Sequence, residues 1–306
     1  MRKVNPLFIC CADLHIQDNA PIARTGEPDW LASQDYMLKQ IQDKEAELAV
    51  PVIYAGDIVD KPTKHSSALI QMLIKRIPSD SHIILGNHDI INHSLDSFRE
   101  TTMGLLDCVF SINKCAHILA ASDKTVFDDV HITFFPFGTK YTKPKHKGTN
   151  IAIIHEFIWE TLPFPGAPEH GNIKELTKAL KGYDLIIAGD NHSGFITECN
   201  GIKIINCGCT MRRTILHEDY KPAFYVVNDD LSIETIYFDI SKDIFSKEHK
   251  IAEIEKETLI NDFIDVLGEM KTVTSDFEEN MKRALMPATE DVKKCVYKAM
   301  EDINGI

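Results

Sequence analysis

His82-Ile83-Ile84-Leu85-Gly86-Asn87-His88-Asp89 is a short apolar run that stops abruptly in residue types able to bind a metal ion. Two upstream segments share the design. Pro6-Leu7-Phe8-Ile9-Cys10-Cys11-Ala12 runs into Asp13-Leu14-His15, and Val50-Pro51-Val52-Ile53-Tyr54-Ala55 runs into Gly56-Asp57. Short apolar runs bounded by polar residues read as buried strands. Parallel strands that all end in such residues deliver their side chains to one sheet edge, where open α/β folds place their ligands. The pattern points to a metal-dependent hydrolase.

The intervening segments read as helices. From Leu31 to Ala49 the apolar residues Met37, Leu38, Ile41 and Leu48 recur at helical spacing, with charges on the opposite face. From Ser66, Leu69, Ile70, Leu73, Ile74 and Ile77 do the same before Pro78-Ser79-Asp80 ends the run. This β-α-β-α-β order implies parallel strands with helices on the sheet faces. Further strands are expected at 131–136, 151–154 and 185–188, with a helix from the N-cap Asn172 to Lys181. After Gly194 the pattern changes to antiparallel hairpins: 195–199 and 202–206 flank Asn200-Gly201, and 223–227 and 233–238 flank Asp229-Asp230. The fold class is α/β with mixed sheets and a sheet-on-sheet core. Beyond Asp239, amphipathic helices form a small appendage or a partner-docking module, giving expected domains of 1–240 and 241–306.

Composition bounds the reading. No stretch among the 306 residues approaches the roughly 20 apolar residues that span a bilayer, and the start lacks a secretion-signal pattern. An intracellular, cytoplasmic protein without a membrane partner is expected. The eight cysteines form no Cys-x-x-Cys pair and read as free thiols. A net charge of -13 argues against a chain that grips nucleic acid through its overall field. The one dense basic segment, Lys140 to Lys147, reads as a solvated loop, with phosphate contact as the alternative.

Asp13 and His15, two residues apart on an extended backbone, leave on the same face and can share an ion. The amide of Asn87 offers a hard, weak oxygen suited to Mn, Mg or Fe, and its neighbour His88 points elsewhere, free for proton transfer. His155 follows the apolar run 151–154, and Asp190 and His192 follow 185–188. Isolated histidines such as His117 and His131 have no comparable context.

In order, these residues resemble the calcineurin-like metallophosphoesterases, whose pattern is D-x-H, G-D, G-N-H-[DE], an isolated H, and G-H-x-H. The resemblance covers about 7–238. It implies a four-layer αββα sandwich with mixed sheets. It also implies two divalent metal ions, Mn first and Mg or Fe as alternatives. Asp13, His15, Asp57 and His192 would hold the first ion, and Asp57, Asn87, His155 and Asp190 the second. Asp190 stands where the family usually has histidine, and a carboxylate there favours a hard ion. His88 would protonate the leaving oxygen, with Asp89 orienting its ring. The ions, about 3.5–4 Å apart, would activate a hydroxide for in-line displacement.

Within the family, Gly56-Asp57-Ile58-Val59-Asp60-Lys61-Pro62 and Gly86-Asn87-His88-Asp89 depart from the protein Ser/Thr phosphatase pattern. Asn206-Cys207-Gly208-Cys209-Thr210-Met211-Arg212-Arg213 is similar to the N-P-G-S-x-x-R turn of SbcD-like (Mre-type) DNA nuclease subunits, including their short bacteriophage versions, with Cys207 and Cys209 replacing Pro and Ser. That resemblance implies a DNA exonuclease or endonuclease acting in repair and recombination, partnered by an SbcC-like SMC-type ATPase through the terminal helices and compatible with a homodimer. Arg212 and Arg213 would contact substrate phosphate. Two other readings share the motifs: a small-molecule phosphodiesterase or phosphatase, and a metal-bound interaction module without catalysis.

Overall fold

The computed structural model describes residues 4–113, 115–127, 129–163 and 169–246. The helices expected after residue 246, and the Phe164 to Pro168 segment, lie outside the described residues.

Strands β1 (Pro6–Cys11), β2 (Val52–Tyr54), β3 (Ser81–Ile84) and β4 (Ala116–Leu119) run parallel, as the helical crossovers require. β11 (Ala223–Asn228) and β12 (Ile233–Tyr237) extend that sheet antiparallel beyond β1, giving the order β12-β11-β1-β2-β3-β4. The second sheet has the order β5-β6-β7-β8-β10-β9. Its parallel centre is β6 (Val130–Phe135), β7 (Asn150–His155), β8 (Leu185–Gly189) and β10 (Ile202–Asn206). Antiparallel edges β5 (Asp123–Phe127) and β9 (Phe195–Cys199) close it. Asn200 and Gly201 both carry positive φ, 53° and 74°, as a tight two-residue hairpin turn demands.

Strand alternation builds the layers. In β1 and just beyond it, Phe8, Cys10 and Ala12 face the second sheet, while Ile9 and Cys11 face the helices. In β7 and β8, Ile151, Ile153, Leu185 and Ile187 meet the first sheet, and Ala152, Ile154, Ile186 and Ala188 face outward to α4 (Ile173–Ala179). Helices α1 (Trp30–Leu48), α2 (Ser67–Arg76) and α3 (Thr102–Asn113) cover the first sheet through Leu38, Ile41, Leu69, Leu73, Leu106 and Phe110. The result is the expected αββα sandwich, its central layer a continuous apolar core. Each fully buried Leu, Ile or Phe there contributes about 1.5–3 kcal/mol.

Helix starts are capped by side chains: the expected N-cap Asn172 accepts the Lys174 N–H at α4, and Asp29 and Ser66 accept the Ala32 and Leu69 N–H groups at α1 and α2. Three elements, α3, β4 and β5, escape periodicity reading. α3 carries apolar residues almost all round, with Leu105 and Ile112 exposed opposite the buried Leu106 and Phe110, so its sequence shows little contrast between faces. Among the described residues no helix is long and apolar enough to cross a membrane. The lysines of the 140–147 segment are exposed, as in a solvated loop.

Candidate metal centre

The strand ends converge on one edge, and they do so through unusual backbone. Asp13, His15, Asp57 and Asp190 all have positive φ (53°, 44°, 54° and 90°), a conformation that costs a non-glycine residue on the order of 1–3 kcal/mol and clusters at functional sites. Cross-strand hydrogen bonds hold the turns: Asp13 N donates to Gly56 O at 3.1 Å and His15 N to Asp57 O at 3.0 Å. Two glycines are required by proximity. A Cβ on Gly56 would sit 2.1 Å from His155 Nδ1, and one on Gly86 would sit 2.1 Å from Asp57 Oδ1.

Three sets of potential ligand atoms lie within 4.8 Å of one another: Asp13, His15 and His192; His15, Asp57 and His88; Asp13, Asp57 and His155. Asp57 joins two of them. Its Oδ2 is 3.6 Å from His15 Nε2 and 3.4 Å from His155 Nε2, the position of a carboxylate shared between two cations. His15 Nε2 and His192 Nε2 approach to 3.0 Å. His155 Nδ1 donates to Ala55 O at 2.7 Å, so Nε2 is left facing Asn87 Oδ1 at 2.9 Å.

This donor set fits divalent cations. Asp13 and Asp57 are buried, and among the described residues no Lys or Arg forms an ion pair with either. Burying carboxylates without a compensating cation is costly, and oxygen and imidazole donors without a thiolate suit hard or borderline metals. The electrostatics carry the same strain. Burial pushes the Asp13 carboxyl well above its usual range. At Asp57 burial works the same way, but the charge and hydrogen bond of His155 hold the carboxyl low. At His155 burial opposes protonation, and the charge of Asp57 overcomes it, raising the ring to about 10. Burial, followed by the neighbouring His15, pushes His192 down to about 3.

The structure therefore brings together Asp13, His15, Asp57, Asn87, His88, His155 and His192. Asp190 enters differently: its N–H donates to both Asp13 carboxylate oxygens at 3.0 Å, while its own carboxylate is absent from the tight ligand sets among the described residues.

Two expected roles change. Asp89 does not orient His88. The Nδ1 atom of His88 donates to the backbone O of Asp60 at 2.8 Å, whereas the fully buried Asp89 carboxylate accepts the N–H groups of Gly86, Asp57, Ile58 and Val59 at 2.9–3.1 Å. Asp89 is a clamp between two ligand loops. Arg212 keeps its guanidinium engaged inside the fold. It is buried, with Nε donating to Asp243 Oδ2 at 2.8 Å and Nη1 to Glu218 O at 2.6 Å, over the Phe245 ring. Its carbonyl accepts from buried Arg24. Arg213 does reach the centre, where its guanidinium pairs with Asp60.

Asp60 and Asn206 carry roles at the centre that the motifs alone do not reveal. Asp60 holds His88 through its carbonyl, pairs with Arg213, and places Oδ1 3.6 Å from His15 Nδ1. Its place three residues after Asp57 was the available signal. The Asn206 amide donates to Asn191 O and Ser193 O at 2.6 and 2.8 Å, fixing the loop around His192, while Cys209 N donates to His192 O at 3.0 Å. The 206–213 turn thus supports the centre from behind.

A two-sheet α/β sandwich whose strand ends gather aspartates and histidines around a cation site defines a metal-dependent phosphoesterase. Residues 6–194 match the sequence model of the calcineurin-like phosphoesterases. The chain belongs to the calcineurin-like phosphoesterase family.

No curated protein sequence matches the chain. Among solved structures it is similar to an archaeal phosphodiesterase (13% identity, TM-score 0.42, covering 76% of this chain and 99% of that one). It is also similar to a dimetal phosphatase from Danio rerio (12% identity, TM-score 0.46, covering 77% and 100%).

Proposed function

We propose that this centre hydrolyses a phosphodiester whose leaving group is an unactivated alcohol, and that His88 delivers the proton to the leaving oxygen. The observation that carries the reading is the anchoring of the ring. With Nδ1 fixed on Asp60 O at 2.8 Å, Nε2 is the atom that gains and releases a proton, beside Asp57 and His15. General acid help of this kind contributes about 10²–10⁴-fold. Two divalent ions, held by Asp13, His15, Asp57 and His192 and by Asp57, Asn87, His155 and Asp190, would supply Lewis acidity and a nucleophile at neutral pH. Asp89 keeps the Asp57 and His88 loops in register for that chemistry.

A small-molecule diester is the substrate class the described surface favours. A duplex needs Lys and Arg contacts to several phosphates, yet Arg212 is buried against Asp243, Arg213 is committed to Asp60, and the chain carries a net charge of -13. A second reading, a DNA nuclease subunit that borrows DNA affinity from an SMC-type ATPase, is supported by the similarity of the 206–213 turn to SbcD-like proteins. Manganese is the proposed ion in both.

The test compares wild type and His88→Ala with Mn on bis(4-nitrophenyl) phosphate, cyclic and linear dinucleotides, and linear and single-stranded DNA. Turnover of the small diesters without DNA cleavage supports the first reading, and DNA cleavage moves the assignment to the second. If wild type cleaves none of them, nor 4-nitrophenyl phosphate as a monoester, the catalytic readings fail and the interaction-module reading takes their place.

A further inference from the structure

A cleft of about 570 Å³ opens where the loop after β1 meets the loop after β2, lined by Gln17 to Ile22 on one side and Asp60 to His65 on the other. Its volume is that of a small-molecule site. Asp60 belongs to both this cleft and the metal centre, since its carbonyl holds His88 and its carboxylate pairs with Arg213. The cleft therefore opens beside the residue that anchors His88, the group proposed above to protonate the leaving oxygen.

Three features specify what it takes. Lys61 and Lys64 line it, both exposed, and among the described residues neither forms an ion pair with a carboxylate. The acidic groups beside them are already engaged: Asp60 by Arg213, and Asp18 by the Ser66 N–H at 3.0 Å, with His65 Nδ1 at 3.6 Å. The opposite wall presents Pro21 and the 63% exposed Ile22, an apolar surface beside two free ammonium groups. The walls are tied together. Asp18 reaches across to the Ser66 N–H and lies 3.6 Å from His65 Nδ1, while His65 Nε2, 2.7 Å from Lys61 O, braces the second wall on itself, so the cleft is formed before substrate arrives.

We propose that this cleft is the leaving-group subsite, and that Lys61 and Lys64 bind a second phosphate carried by the leaving group. The substrate class is then a diester of nucleotide type rather than a simple alkyl or aryl diester. This rests on the phosphodiesterase reading above. Lys61 and Lys64 touch no reacting atom, and their contribution falls on binding.

The experiment uses the full chain with Mn and two dinucleotides, TpT and the doubly end-phosphorylated pTpTp, in wild type and Lys61→Ala/Lys64→Ala. Wild type is expected to prefer pTpTp roughly tenfold in kcat/KM, the size of one charge-assisted contact, with the preference lost in the double variant through KM. An equal preference in both proteins overturns the subsite. Turnover of bis(4-nitrophenyl) phosphate by wild type reports separately on the phosphodiesterase reading. Should turnover be absent, the phosphodiesterase reading fails and the Kd of pTpTp by calorimetry decides the phosphate site alone: weakening in the double variant sustains Lys61 and Lys64 as phosphate ligands, and an unchanged Kd overturns them.

Discussion

The Asp89 carboxylate accepts the backbone N–H of Asp57 at 3.0 Å, so one buried acid fixes the main chain of the residue that joins two of the candidate ligand sets. The same carboxylate binds three more N–H groups, from Gly86, Ile58 and Val59. A four-donor cradle around one buried side chain couples the loops after β2 and β3 as a unit. Asp89→Ala leaves those donors without partners in a site closed to water, where each lost partner costs about 1–3 kcal/mol. The expected outcome is a loss of at least about 3 kcal/mol in denaturant unfolding, together with weakened Mn binding in calorimetry. A variant that unfolds like wild type would remove the clamp from the account.

His88→Ala should affect substrates according to their leaving groups. On a dinucleotide, whose alkoxide needs a proton, kcat is expected to fall about 10²–10⁴-fold. On bis(4-nitrophenyl) phosphate, whose phenolate departs readily without one, the fall should be much smaller. Equal losses on both substrates contradict a general-acid role for the ring.

Arg212→Ala is expected to act on stability. Removing a guanidinium that binds Asp243 and Glu218 O leaves Asp243 with Arg24 as its remaining cation and the Glu218 carbonyl without this donor, a change worth about 1–3 kcal/mol. The melting temperature should drop clearly. Below the transition, the KM for small diesters should match that of wild type; a large rise in KM with unaltered stability would return Arg212 to the substrate.

The pH dependence of the metal-free chain follows from His155. Its folded value, about 10, lies above the ordinary 6.5 because the Asp57 charge outweighs burial. The folded state thus holds a proton that the unfolded state releases between these values, so the stabilisation is complete below pH 6.5 and disappears as pH rises through 10. Metal-free protein should melt at progressively lower temperature from pH 7 to 10. A cation on Nε2 replaces that proton, so Mn binding should release protons and tighten over the same interval. Calorimetry in buffers of different ionisation enthalpy counts the protons, and a pH-independent Mn affinity would argue against His155 as a ligand.

Asp190→His tests the position at which this chain departs from its family. The Asp190 N–H binds Asp13, but its carboxylate lies outside the tight ligand sets among the described residues. Histidine is expected to raise occupancy of the second ion, read as Mn per chain after dialysis. Unchanged stoichiometry would show that the carboxylate already serves.

Much of this was legible in the chain itself. Strands such as Ile151 to Ile154 and Leu185 to Ala188 announce themselves because burial on both faces demands unbroken apolar residues. The candidate ligands are legible because each lies within a few residues of the end of such a run. Helix α3 was not legible, since a helix with apolar residues on nearly all sides gives no periodic contrast. Nor were the roles of Asp89, Arg212 and Asp60, for a carboxylate or guanidinium has the same letter whether it meets substrate, solvent or the backbone of a distant loop.

Strand period and apolar runs are local properties of the chain, so the layered α/β architecture and the groups at the strand ends can be read from the residues alone. Which of those groups share an atom's space is settled by folding. It set Asp57 Oδ2 between His15 and His155, turned Asp89 into a backbone clamp, and took Arg212 into the interior. Those outcomes depend on contacts between residues far apart in the chain, where burial and the need to satisfy every buried polar group choose among partners that local spacing leaves equivalent.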